Sequence, residues 1–326
     1  MNRTDSSAIH KIIRDHKRFL ISTHVTPDPD ALASELVMAL YLKSIKKEVS
    51  IINADAVPER YKFIPASGMI HKIGDRRHPD YEVAIVVDCG DLNRIGPVKG
   101  LLNPEKPLVN IDHHVTNDKF GNLNLVISHA SSTAEVIYGL LEATGFKLTR
   151  PTAILLYLGI MTDTGSFHYD NTTARTHEVV SRLLKFKFSV SEIYKKLYET
   201  VPLNDLKYFT KVVSQFDMAF DGRVIFLELH KSMANKFSQE IDLRDKIFKY
   251  LRTIKGIEAI VILTEQDKKR TKVNLRSQGK FDVANLALHF GGGGHKKASG
   301  CVVSGNFKQA KQKLLAEIKK EINRIA

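Results

Sequence analysis

Cysteine is scarce in this sequence, and long hydrophobic runs are missing. Cys89 and Cys301 are the only cysteines among 326 residues, and two thiols this far apart form neither a disulfide framework nor the paired spacing of a zinc site. No stretch approaches the roughly 18 to 20 apolar residues of a membrane span, and the opening residues mix charges with apolar side chains instead of forming a signal peptide. We therefore expect a cytoplasmic protein with reduced, buried thiols and no membrane partner.

The composition provides apolar material for more than one domain. Hydrophobic residues make up 43% of the chain, and 49 Lys and Arg outnumber 36 Asp and Glu, giving a formal net charge of +13. A basic surface attracts polyanions, although solvated helix faces, such as that of the last segment, explain part of the excess. The chain length favours two domains.

The first half alternates short apolar runs with amphipathic stretches, which is typical of an α/β domain with a parallel sheet. Predicted strands cover 18–23, 49–52, 82–87 and 107–111, and predicted helices cover about 31–46 and 132–145. A polar helical stretch then precedes a second α/β pattern that includes strands at 223–229, 259–265, 272–277 and 298–304. We expect a first domain over 1–185, a helical linker over 186–215 and a smaller domain over 216–326.

Four separate segments end an apolar run with aspartate or histidine. They are HVTPDPD (24–30), DCGD (88–91), DHH (112–114) and TDTG (162–165). We expect all four to lie at strand ends, with the apolar stretch 152–161 before the fourth, because residues beyond the carboxyl ends of parallel strands line a common crevice. Singly, each has a simpler explanation, because Asp28 or Asp30 could cap the next helix and Asp88 could be a turn residue. Their recurrence at the same kind of place favours one site, with members His24, Asp28, Asp30, Asp88, Asp112, His113, His114 and Asp163.

So many carboxylates cannot lie together without counter-charge. Carboxylate oxygens with a few imidazoles and no thiolate suit Mn²⁺, with Mg²⁺, Co²⁺ and Zn²⁺ as other candidates. The acidic residues exceed what one ion requires, and two ions roughly 3.5 to 4 Å apart are the usual apparatus for phosphoester displacement. We expect Asp88 to bridge them.

A glycine run, GGGGH (291–295), lies between a predicted helix and a predicted strand. Glycines expose backbone N–H groups to an anion, although a flexible loop is the simpler explanation. His295 ends the run, and Arg276 and Ser277 end the preceding strand. These donors could gather around a terminal phosphate.

These motifs resemble those of the DHH phosphoesterases, in the two-domain branch that contains bifunctional oligoribonucleases with pAp phosphatase activity. HVTPDPDALAS, VVDCGDLNRIG, NIDHHVTN and MTDTGSF resemble the four motifs of the catalytic domain, in the right order. LRSQGKFDVANLALHFGGGGHKKASG resembles the core of the DHH-associated substrate-binding domain. The resemblance covers nearly the whole chain.

The resemblance implies a role for each site residue. One metal ion would be held by His24, Asp28 and Asp88, and a second by Asp30, Asp88, His113 and Asp163. Asp112 would orient the site, and His114 would face the scissile phosphate. The substrate would be bound across a cleft by Arg276, Ser277, Gly293, Gly294 and His295.

The implied activity is metal-dependent hydrolysis of short oligoribonucleotides, of linear dinucleotides such as pApA, and of 3′-phosphoadenosine 5′-phosphate (pAp). The resemblance also allows a homodimer. The alternatives are a cyclic di-AMP or pApA phosphodiesterase of signalling, an exopolyphosphatase, and a nucleotide sensor without catalysis.

Overall fold

Parallel strands rich in β-branched residues form the centre of the first half of the chain. The computed structural model describes residues 3–75, 79–234, 243–267, 269–278 and 280–325, and the chain divides into two units between Glu199 and Thr200. The strands of the first unit are β1 (Arg18–Ser22), β2 (Glu48–Asn53), β3 (Ile70–Lys72), β4 (Val83–Val87), β5 (Leu108–Asp112) and β6 (Leu123–Val126). They pair in the order β3-β2-β1-β4-β5-β6, and every pairing is parallel.

Both faces of this sheet are covered, which explains why its central strands are continuously apolar. Ile85 of β4 packs in one cluster with the helices, whereas the next residue, Val86, packs in another with Ile95 and Val98 from a 3₁₀ segment on the opposite face. The helices of this unit are α1 (Arg3–Asp15), α2 (Pro29–Ser44), α3 (Thr133–Glu142), α4 (Arg150–Asp163), α5 (Ala174–Leu184) and α6 (Val190–Tyr198).

The fourth site segment follows a helix, so the expectation that all four segments end strands is wrong. Residues Arg150–Asp163 form α4, which is capped by the side chain of Thr149 and carries Pro151 in its first turn. The helix contacts α2, α3 and α5 and is buried along nearly its whole middle. Asp163 is therefore its last residue.

The second unit is a smaller, mixed α/β structure. Its elements are α7 (Leu203–Val213), β7 (Asp217–Ala219), β8 (Val224–Leu229), α8 (Lys231–Ala234), α9 (Leu243–Leu251), β9 (Ala259–Asp267), β10 (Arg270–Ser277), α10 (Val283–His289), β11 (Gly293–His295), β12 (Ala298–Ser304) and α11 (Phe307–Ile325). The strand order is β11-β12-β10-β9-β8-β7, with β8 and β9 parallel and the other pairs antiparallel. The glycine run is thus partly a strand, because Gly293–His295 pair with β12. The predicted α/β class, with a parallel sheet in the first unit and a smaller second unit, is confirmed.

Two helices occupy the segment that we expect to link the domains. Helix α6 ends before the boundary between the units and α7 begins after it. The limits 1–185, 186–215 and 216–326 stay a prediction. Among the described residues, no helix combines the length and apolar character needed to cross a bilayer.

Candidate metal centre

The strand order brings three of the polar segments to one edge of the sheet. Strand β1 lies beside β4, and β4 lies beside β5, so the residues beyond their carboxyl ends are neighbours. His24 follows β1, Asp88 follows β4, and Asp112 ends β5. From the centre of the sheet, successive strands β1 to β3 are added towards one side and β4 to β6 towards the other. Open α/β sheets bind ligands at the point where the strand order reverses in this way, which here lies between β1 and β4. The end of α4 adds Asp163.

His24, Asp28 and Asp88 form one group of potential ligands. Their donor atoms all lie within 4.8 Å of one another, and His24 Nε2 is 3.6 Å from Asp88 Oδ2. His24 Nδ1 lies 2.8 Å from the Val25 carbonyl oxygen, which fixes the ring orientation. Asp28 also caps α2, because its Oδ1 accepts the Ala31 N–H at 3.0 Å. The simpler explanation for Asp28 is therefore observed, and it leaves Oδ2 for another partner.

Asp30, His113 and Asp163 form a second group, also within 4.8 Å. His113 Nε2 is 3.1 Å from Asp163 Oδ2 and 3.8 Å from Asp88 Oδ1, while Nδ1 faces the Ala130 carbonyl oxygen at 3.3 Å. One oxygen of Asp88 therefore faces each group.

Asp112 and His114 form a close pair beside these groups, and His114 also lies within 4.8 Å of donor atoms of Asp88 and His113. His114 Nδ1 lies 2.7 Å from Asp112 Oδ1, and Asp112 Oδ2 accepts a hydrogen bond from Asn117 Nδ2 at 2.6 Å. Asp112 is fully buried, whereas 36% of the His114 side chain is exposed. The Asp112 carboxylate therefore holds the partly exposed His114 ring at Nδ1.

The buried carboxylates carry their charges unequally. Asp28 reaches solvent at the rim, yet the protein around it removes enough water to raise its pKa to about 6, and the charge of Asp88 adds to this. Burial, followed by the charge of Asp88, also raises the pKa of Asp30. Burial acts on Asp88 in the same sense, but hydrogen bonding to His24 and the nearby imidazoles outweigh it and lower its pKa. Asp88 is therefore the anionic centre of the cluster.

The histidines compensate for that charge. Burial would lower the pKa of His113, but the hydrogen bond to Asp163 and the charge of Asp30 raise it to about 10. The hydrogen bond to Asp112 raises the pKa of His114. Without metal, bound protons neutralise the negative charge of the carboxylates. Divalent cations would neutralise the same charge and leave the ligands unprotonated. Carboxylate oxygens with imidazole nitrogens are suitable donors for a hard to borderline divalent ion, so the residues fit the predicted metal.

The second unit brings together the residues that we predicted to bind substrate. Arg276 and His295 both pair in register with Ala298, one on each side of β12. The Arg276 guanidinium lies over the Phe248 ring, 4.8 Å from its centroid, and this stacking limits its rotation. Both side chains therefore project from one row of the sheet.

The remaining predicted residues in this unit shape the backbone. Gly294 has a φ of +136°, and a Cβ atom there would lie 2.6 Å from the Ala298 carbonyl oxygen, whereas nothing lies within 4 Å of one at Gly293. The Ser277 hydroxyl donates to the Phe281 carbonyl oxygen, so it is already engaged within the protein. The backbone of Gly293, two residues before His295, is exposed and uncrowded.

Comparison with known proteins identifies the family. The model for the DHH family N-terminal domain matches residues 18–160, and that for the DHHA1 domain matches residues 231–324. The bifunctional oligoribonuclease and PAP phosphatase NrnA of Bacillus subtilis (strain 168) is 32% identical over 87% of this chain and 88% of its own. The chain belongs to the DHH family.

Other relatives of this DHH protein agree with that assignment. NrnA of Thermus thermophilus is 29% identical over 93% of this chain and 90% of its own. The crystal structure of an exopolyphosphatase-related protein from Bacteroides fragilis has a TM-score of 0.87 at 27% identity, covering 97% of this chain and 95% of that chain. The DHH match includes every predicted site residue of the first unit except Asp163, and the DHHA1 match includes Arg276 and His295.

Some residues that hold the candidate ligands of this DHH protein in place were not predicted from the sequence. The Thr133 hydroxyl donates to Asp88 Oδ1 at 2.8 Å, and the Thr133 and Ala134 N–H groups donate to Asp30 at 2.8 and 3.0 Å. Ser132, where the predicted helix over 132–145 begins, caps α3. The run of small hydroxyl residues before α3 was the available signal.

Proposed function

We propose that this chain is a two-metal phosphoesterase that hydrolyses short oligoribonucleotides and linear dinucleotides such as pApA, and that removes a phosphate from pAp. The observation that carries the proposal is the position of Asp88, whose two oxygens face two separate groups of ligands. The B. subtilis and T. thermophilus relatives, named as oligoribonuclease and PAP phosphatase, support the substrate class.

In this proposal His24, Asp28 and Asp88 hold one ion, and Asp30, Asp88, His113 and Asp163 hold the other, with Mn²⁺ as the favoured metal. Bound divalent ions supply charge neutralisation at phosphorus and a lower pKa for water. The ligand assignment uses two of the three groups whose donor atoms lie within 4.8 Å of one another, and in the third group Asp88 and His113 lie with His114.

The remaining residues of the site act on the substrate. Asp112 holds the His114 ring by Nδ1, so that Nε2 is available to exchange a proton with a phosphate oxygen or the leaving group. Arg276, held over Phe248, and the neighbouring His295 and Gly294 are proposed to bind a terminal phosphate or nucleotide. Short substrates would follow, because a fixed end-binding point limits the length between it and the scissile bond.

Turnover assays test the proposal. The full chain is incubated with pApA, a five-nucleotide RNA or pAp, each with Mn²⁺ or with EDTA, and products are separated by chromatography. We expect hydrolysis of all three with Mn²⁺ and none with EDTA. Asp88→Asn is expected to abolish hydrolysis, whereas the exposed Asp221→Asn should not change it. Metal-independent turnover, or turnover by Asp88→Asn at the wild-type rate, would overturn the proposal.

An exopolyphosphatase is the second candidate, because the B. fragilis protein with the same fold is described as exopolyphosphatase-related. Polyphosphate is therefore included among the substrates, together with cyclic di-AMP. Hydrolysis of polyphosphate but not of pApA or RNA would favour this candidate, and preferential hydrolysis of cyclic di-AMP would indicate a signalling phosphodiesterase.

A further inference from the structure

The Asp88 carboxylate has one close side-chain partner among the described residues, and that partner is Thr133. The Thr133 hydroxyl donates to Oδ1 at 2.8 Å, while the nearest imidazole nitrogens lie 3.6 and 3.8 Å from the carboxylate oxygens. Thr133 is fully buried and Asp88 is 2% exposed. A hydrogen bond in such surroundings is not exchanged with water, so it restricts rotation of the carboxylate.

The orientation of this carboxylate matters because each oxygen faces a different group. Oδ2 lies towards His24 and Oδ1 towards His113. Rotation about the bond to the carboxyl group would turn both oxygens away from the two groups together. The Thr133 hydroxyl opposes that rotation at Oδ1.

The backbone around Thr133 is itself anchored to the other ligands. Its N–H group and that of Ala134 hold the two oxygens of Asp30, and Ala130, three residues earlier, faces His113 through its carbonyl oxygen. Glu135, two residues after Thr133 in α3, accepts hydrogen bonds from Ser131 and, at 2.9 Å, from Thr176. The Thr133 side chain therefore projects from a fixed platform.

We propose that Thr133 is a positioning residue that keeps Asp88 oriented to serve both metal ions. This inference rests on the proposed two-metal function. The Thr133 hydroxyl donates to Asp88, and its effect passes through that carboxylate. Loss of a hydrogen-bond partner behind a metal ligand typically lowers metal affinity or activity by about 10- to 100-fold.

The test compares Thr133→Val, which keeps the side-chain shape without the hydroxyl, with Thr133→Ser, which keeps the hydroxyl. Mn²⁺ binding to the metal-free full chain is measured by titration calorimetry, and kcat and KM are measured on pApA. We expect Thr133→Val to weaken Mn²⁺ binding and to lower kcat by about tenfold or more, with KM nearly unchanged. Thr133→Ser should restore both to within about threefold.

Thr271→Val is the matched control. Thr271 is 1% exposed, and its hydroxyl donates to the Gly305 carbonyl oxygen at 2.9 Å in the second unit. The variant therefore loses the hydrogen bond of a buried threonine hydroxyl to a backbone carbonyl, and it should leave Mn²⁺ affinity unchanged. If Thr133→Val does not fold, as judged by circular dichroism, Thr133→Ala replaces it in the same comparison.

Two results would overturn the inference. One is wild-type Mn²⁺ affinity and kcat in the folded variant without the hydroxyl, and the other is a Thr133→Ser protein as impaired as Thr133→Val. A wild-type chain without Mn²⁺-dependent turnover would instead refute the proposed function, so the two failures are distinguishable.

Discussion

Glu35 of α2 is a fully buried carboxyl group that no step of the proposed chemistry uses. Its Oε1 accepts a hydrogen bond from Asn53 Nδ2 at 2.8 Å, and among the described residues its Oε2 has no partner. Burial raises the pKa of Glu35 to about 8 from an ordinary value of 4.5, although the Asn53 hydrogen bond opposes the rise. The folded chain therefore keeps a proton here that the unfolded chain has released near neutral pH.

The consequence is a loss of stability as the pH rises. The stabilising effect of the protonated form is complete below pH 4.5, where both states are protonated, and it disappears as the pH rises through about 8. Between those values each pH unit costs about 1.4 kcal/mol. From about pH 5.5 to 7.5, Glu35 should therefore remove roughly 3 kcal/mol from the free energy of unfolding.

Glu35→Gln isolates this effect because an amide has the same shape and does not titrate. Urea unfolding of the full chain is followed by circular dichroism at several pH values, in EDTA. We expect the stability of the variant relative to wild type to rise by roughly 3 kcal/mol from about pH 5.5 to 7.5. The exposed Glu48→Gln is the control, and its stability relative to wild type should stay constant over this pH range. A constant difference for Glu35→Gln as well would refute the reasoning.

Three further predictions concern the site residues. His114→Ala should lower kcat on pApA by about 100-fold or more. It should change the Mn²⁺ affinity measured by calorimetry little, because Asp112 holds the His114 ring. A large loss of Mn²⁺ affinity would instead make His114 a metal ligand. Arg276→Lys should raise KM for pApA by about tenfold, because an ammonium lacks the planar donor pair of a guanidinium. The control Arg270→Lys, on the same strand, should leave KM unchanged. Equal KM values for the two variants would contradict the assignment of Arg276. Gly294→Ala should lower the free energy of unfolding by about 1–3 kcal/mol. The reason is that Gly294 has a φ of +136° and a Cβ atom there would lie 2.6 Å from the Ala298 carbonyl oxygen. Thermal unfolding should show a smaller effect for the control Gly293→Ala.

The central strands and most of the site were predictable because their signals are local. Strands β1, β4 and β5 are apolar runs that stop abruptly at polar residues, and such a run is what a doubly covered parallel strand requires. Since the carboxyl ends of parallel strands all lie at one edge of their sheet, Asp88 and Asp112 could be placed at the same edge without knowledge of the strand order. The resemblance to the DHH motifs supplied the division into ligand groups.

Helix α4 was misinterpreted because a helix buried on all sides has no polar stripe. Residues 152–161 are apolar without a visible period, and other helices pack against α4 on several sides. Periodicity cannot separate such a helix from a buried strand, although its length and the Thr149 cap favour a helix. Its helical character could have been inferred from those two features.

Thr133 was missed for a different reason. Its partner, Asp88, lies 45 positions earlier in the sequence, and nothing in the local pattern around α3 distinguishes a hydroxyl that caps a helix from one that points into a site. That distinction depends on how the start of α3 meets the end of β4, which is a property of tertiary packing.

Every proposed metal ligand, from His24 to Asp163, belongs to the first unit, and the second unit begins only at Thr200. During translation the whole ligand set therefore leaves the ribosome before the remaining part of the chain, which takes roughly ten seconds to synthesise. The complete set of proposed ligands is thus synthesised before Arg276 and His295.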